Sequence, residues 1–107
     1  MDDPTYNAAV AAVFKRLVAA VDAVDPDIIE ADATPDMVTI TAVQNQSKVI
    51  VNTQRAVHQI WVAGKSAGIH FTRASDGQWF DDKNQGIELI TWIRDCVTAA
   101  SGIELTL

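Results

Sequence analysis

At 107 residues and 49% hydrophobic content, the chain has the size of one domain and enough apolar material for one core. Fourteen acids against eight bases leave a net charge of −6, which opposes phosphate backbones and anionic lipid and favours cations or basic protein surfaces. No stretch approaches the roughly 18 consecutive apolar residues of a membrane helix, and Asp2, Asp3 and Pro4 at the start are unlike a signal sequence, so a soluble cytoplasmic protein that binds neither nucleic acid nor membrane is expected.

The first segment starts as a helix, with Asp3 as the expected N-cap and Pro4 at the first helical position, where a missing N–H costs nothing. Tyr6, Val10, Val13, Phe14, Leu17, Val21 and Val24 recur at three- and four-residue spacing, with Asn7, Lys15 and Asp22 opposite, which predicts an amphipathic helix ending near Val24. Pro26 closes it. Asp22, Asp25 and Asp27 gather at the negative pole of this helix, where carboxylates are mildly unfavourable, so a reason other than helix stability is implied for them.

From Asp27 to Phe80 the pattern turns to period two and predicts about six antiparallel strands. Ile29, Ala31 and Ala33 alternate with Glu30 and Asp32; strands follow over Met37 to Val43 and Lys48 to Thr53. A central strand is expected over Val57 to Ala63, a loop over Gly64 to Gly68, and short strands over Ile69 to Thr72 and Gln78 to Phe80. Leu89, Ile90, Ile93, Cys96, Val97 and Ala100 then take helical spacing up to Gly102, a natural stop. Cys96, the lone cysteine, has no disulfide partner in the chain and falls within this apolar stripe. Two amphipathic helices flanking a meander bury their stripes together by lying on one face of the sheet, an α+β two-layer sandwich with the opposite face open.

That open face is informative. With Val49, Val51, Ile60 and Val62 pointing inward, parity sends Lys48, Ile50, Asn52, Gln59 and Trp61 outward. An exposed Trp between amides has the character of a protein-binding hot spot, although a strand Trp more often fills a core and a single bulge would reverse the parity. Trp79 and Trp92 are assigned to the core or its rim.

No Gly-rich phosphate loop, paired-cysteine zinc motif, His-Glu-x-x-His helix or Glu-x-x-His di-iron motif is present. His58 and His70 read as ordinary strand residues. The acids Asp3, Asp22, Asp25, Asp27, Glu30 and Asp32 would form one ridge if the first strand runs beside the first helix. Carboxylates suit iron, manganese, calcium or magnesium, but exposed ones without fixed geometry bind weakly, and an ordinary solvated acidic face is the competing reading.

The stretch from Val51 through Asn52, Gln54, Gln59, Ile60 and Trp61 to Ala63, continued by Gly68-Ile69-His70-Phe71 and Trp79, resembles the signature of the frataxin family and its bacterial CyaY branch, and the order of elements extends the likeness over essentially the whole chain. The resemblance implies a two-layer sandwich, weak binding of ferrous or ferric iron along an acidic ridge, and a part in iron–sulfur cluster assembly through contact with a cysteine desulfurase and its scaffold protein. On matching positions it implies Asp3, Asp22, Asp25, Asp27, Glu30 and Asp32 for iron, and Asn52, Gln59 and Trp61 for protein partners. Val18, Ala19 and Ala23 stand where relatives often carry acids, implying weaker iron binding; Ala56 replaces a common proline, and Phe14 a common Trp. A non-enzymatic accessory protein is expected, a monomer that iron could drive to oligomerise. A ferroxidase or iron-storage assembly and a metal-independent interaction module are the alternatives.

Overall fold

The first helical hydrogen bond runs from the Tyr6 N–H to the Asp2 carbonyl at 3.0 Å, and the Asp2 carboxylate accepts the Thr5 N–H at 2.9 Å. Asp2, not Asp3, is therefore the N-cap of helix α1, Asp3–Asp22; Pro4, which offers no N–H, lies within the first turn. The computed structural model describes every residue from Met1 to Leu107. α1 buries Tyr6, Val10, Phe14, Leu17 and Val21, while Val13 and Val24 are only partly covered.

Six strands follow in an antiparallel sheet whose spatial order is their chain order: β1 (Ile29–Ala33), β2 (Met37–Ala42), β3 (Ser47–Gln54), β4 (Gln59–Gly64), β5 (Ala67–Arg73) and β6 (Trp79–Asp81). Helix α2, Leu89–Ser101, completes the fold. Its N-cap Glu88 accepts the N–H groups of Ile90 and Thr91 at 2.7 and 3.1 Å, and Gly102 ends it in the left-handed region, φ 77°, which glycine enters without a Cβ penalty.

Two connections differ from the sequence expectation. Arg55–Val57 form a 3₁₀ turn closed by His58 at φ 53°, so β4 begins at Gln59 and not at Val57. The expected Gly64–Gly68 loop is instead a two-residue turn of Lys65 and Ser66, both at positive φ (50° and 59°), which matches the twist of the flanking strands and lengthens both.

One face of the sheet carries Val38, Ile40, Val49, Val51, Ile60, Val62 and Phe71 into a single core with the buried stripes of both helices. α1 lies over β1 and β2, and α2 over β2, β3, β4 and β6. Cys96 of α2 is 1% exposed and sits so close to β4 that a Cβ on Gly64 would lie 2.7 Å from its Sγ. Burial pushes the thiol up to about 11. Trp79 is buried in the core and Trp92 is half-buried at its rim, against the Lys65 ammonium, 5.4 Å from the ring centroid. No helix is long and apolar enough to cross a membrane.

Candidate functional site

The register of the sheet assembles the open face. Met37 pairs with Asn52, Asn52 with Trp61, and Trp61 with His70, so these four side chains form one row across β2 to β5. The neighbouring row runs Asp32, Thr39, Ile50, Ala63, Gly68, and a third joins Gln54, Gln59 and Thr72. No bulge interrupts β3 against β4, and the inward residues Val49, Val51, Ile60 and Val62 are fully buried. Asn52, Gln59 and Trp61 therefore share the outer face, as their parity predicted. Trp61 is half-buried, its ring centroid 6.3 Å from that of His70. The Gln59 amide donates to the Thr72 hydroxyl at 3.2 Å, which orients its carbonyl. Beside Trp61 a groove of ≈ 560 Å³ runs to the β4–β5 turn, and its only charged lining residues are Lys48 and Lys65.

The predicted acids divide into two places. Asp22 ends α1, and Asp25 and Asp27 lie in the α1–β1 connection. Asp25 has a local task there: its carboxylate accepts the Asp27 N–H at 2.9 Å and its carbonyl accepts the Ile28 N–H at 2.9 Å. Glu30 and Asp32 point outward from β1, an edge strand on which outward charge also discourages pairing with another chain. All five are exposed and follow one another from the end of α1 along the sheet edge.

Asp3 does not join them. It lies at the opposite end of α1 from Asp22, about 28 Å away at the helical rise of ~1.5 Å per residue, and its carboxylate is 2.7 Å from His58 Nε2. The single ridge expected from the sequence is in this respect shorter, because a 20-residue helix separates its two ends. No three His, Cys, Asp or Glu side chains converge closely enough to hold a metal ion. The acidic edge thus offers a field of negative charge in place of a coordination cage. Such a field attracts hydrated cations and basic surfaces and is sensitive to salt.

Sequence reasoning missed the residues that hold these surfaces in place. Arg55 donates to Asp36 at 2.6 Å, to the Asn7 side chain and to the Pro35 carbonyl at 3.2 Å, tying α1 and the β1–β2 turn to the end of β3. The guanidinium holds the Asp36 carboxyl below its usual range, helped by the Thr53 hydroxyl. His58 was expected to be an ordinary strand residue; it stands outside the strand, with its ring 5.0 Å from that of Tyr6. Asp81, 7% exposed, accepts the Gln85 and Ile87 N–H groups at 2.9 and 2.8 Å and so shapes the loop entering α2. The first of two consecutive aspartates at the end of β6, it carries no sequence signal for that role.

The family model for the frataxin-like domain matches residues 1–103 of the chain. The iron-sulfur cluster assembly protein CyaY of Tolumonas auensis is 38% identical over 107 residues, spanning 100% of this chain and 99% of the relative. The protein of the same name from Shewanella sp. (strain ANA-3) is 34% identical over 95 residues, 89% of this chain and 84% of the relative. Among solved structures, frataxin from Psychromonas ingrahamii superposes with a TM-score of 0.85 over 98% of this chain and 96% of that one; at 22% identity this is a likeness of fold.

Proposed function

The chain belongs to the frataxin-like family, and from that premise we propose that it is a non-enzymatic accessory protein of cytoplasmic iron–sulfur cluster assembly that docks on a cysteine desulfurase and its scaffold protein. The observation that carries this reading is the uncovered sheet face on which Asn52, Gln59 and Trp61 stand together, adjoining an edge whose charged residues, from Asp22 to Asp32, are all acids. The acidic edge of Asp22, Asp25, Asp27, Glu30 and Asp32 steers the encounter with a basic surface of the desulfurase. Trp61, flanked by the Asn52 and Gln59 amides, then supplies the short-range contact with the scaffold.

Iron enters as cargo. Exposed carboxylates without a cage hold it weakly, and iron on the edge partly neutralises the charge that the desulfurase reads, so metal and partner compete. The dispersed acids also favour a second reading, in which the edge serves the partner alone and iron has no part.

The test is the affinity for the desulfurase of the same organism, measured across a salt series for the wild type and for a variant with Asp22, Asp25 and Asp27 changed to Asn. Binding that weakens with salt, and weakens further in the variant, supports docking through the edge. Equal binding by both proteins removes the edge from the interface. An anaerobic iron titration of the wild-type complex separates the two readings: release of the desulfurase by iron supports the first, and no release supports the second.

A further inference from the structure

Gly68 occupies a position in β5 where nothing in the backbone calls for glycine. Its φ lies outside the left-handed region that Gly77, Gly86 and Gly102 use, and it sits in a regular pairing with Ala63. A glycine inside a strand weakens the ladder, and its usual reason there is close approach by another group. That group is Trp61. Trp61 pairs with His70, which places Gly68 at the diagonal position across the same two strands. A Cβ on Gly68 would lie 2.9 Å from both Cζ2 and Nε1 of the indole and 3.1 Å from Cε2. The indole therefore rests by its N–H edge on the Gly68 backbone, with the His70 ring beside it.

We propose that Gly68 is a positioning residue for partner binding: by leaving the space of one methyl group empty, it lets the Trp61 indole lie down across β5 and fixes which surface of the ring a docking protein meets. This rests on the reading of the Trp61 face as the scaffold-binding surface. An aromatic ring covering a cross-strand glycine also stabilises a sheet, so stability alone does not identify the role. The specific consequence is that Ala at 68, whose backbone requirements are met, would lift or rotate the indole and change docking while leaving the sheet formed.

The experiment compares wild type, Gly68→Ala, Trp61→Ala and the double variant by thermal melts, by the Trp61 indole N–H resonance, and by affinity for the desulfurase–scaffold complex of the same organism. Gly68→Ala is expected to fold, to move the Trp61 indole resonance, and to weaken binding by about tenfold; the double variant should bind no more weakly than Trp61→Ala. Wild-type affinity in Gly68→Ala while Trp61→Ala is impaired overturns the positioning role and leaves the docking surface standing. Wild-type affinity in Trp61→Ala overturns the docking surface, and this role with it. A measurement on the wild type alone covers the case in which Gly68→Ala does not fold. Nuclear Overhauser contacts from the indole Hζ2 and N–H to the Gly68 α-protons, kept in the complex, support the proposal, and their absence overturns it.

Discussion

His58 Nε2 lies 2.7 Å from the Asp3 carboxylate, so the start of α1 is fastened to the end of the 3₁₀ turn before β4. Asp3 is 83% exposed on its side chain and the His58 side chain 29%, and water screens the pair. Such a contact is worth under about 1 kcal/mol.

The backbone of His58 carries a separate cost. At φ 53° a non-glycine residue is strained by roughly 1 kcal/mol. His58→Gly removes the Asp3 and Tyr6 contacts and relieves the strain, whereas His58→Ala removes the contacts and keeps it. Urea unfolding should therefore find His58→Ala less stable than His58→Gly by about 1 kcal/mol. Equal stabilities would mean that the turn relaxes out of the left-handed region once the imidazole is gone.

Asp81 makes acid stability testable. The Gln85 N–H, followed by the Ile87 N–H, holds its carboxyl below the usual 3.8. A carboxylate with a lowered folded pKa stabilises the native state above its unfolded pKa, and that contribution is lost as pH falls through the folded value. Asp2 and Asp36 are lowered as well, by the Thr5 and Arg55 hydrogen bonds respectively. Denaturation midpoints should thus fall as pH drops below about 4. Asp81→Asn should be less stable at neutral pH and show a shallower acid dependence, with the part due to Asp2 and Asp36 remaining.

Cys96 and Gly64 form a tight pair. The Sγ would stand 2.7 Å from a Cβ at position 64, so Gly64→Ala should cost about 1–3 kcal/mol by overpacking, and adding Cys96→Ala should recover part of it. With the thiol pushed up to about 11 and 1% exposed, alkylation of the native protein at pH 8 should proceed no faster than unfolding. Rapid labelling without denaturant would show that α2 opens from the sheet.

Asp22 ends α1 at its negative pole, and α1 carries no base in its last turn. Asp22→Asn should raise stability by about 0.3 kcal/mol at low salt, with the gain fading as salt is added. A stabilising loss of charge, together with weaker desulfurase binding, would place this residue among those kept for function at a cost in stability.

Much of the molecule is written in local pattern. Spacing of three and four residues in α1 and α2, period two through β1 to β5 and the stop at Gly102 depend on residues near one another in the chain, and every expected helix and strand formed, with the bounds of β4 and β5 moved by the 3₁₀ turn and the tight Lys65–Ser66 turn. The outward placement of Asn52, Gln59 and Trp61 was legible for the same reason: alternation along an unbroken strand needs no knowledge of the neighbours. The left-handed His58 was not legible, since neither glycine nor asparagine marks it. Nor were the contacts of His58 with Asp3, Arg55 with Asn7, and Trp61 with Gly68, because each depends on register and on how the helix lies against the sheet. The acids show the boundary most clearly. Sequence alone put six of them on a possible ridge, but rigid helix length set Asp3 apart from Asp22, and only the packing of α1 beside β1 joined the other five into one edge. Local periodicity follows from backbone geometry that every residue shares, whereas a surface made from distant segments exists only once the core has chosen how they pack.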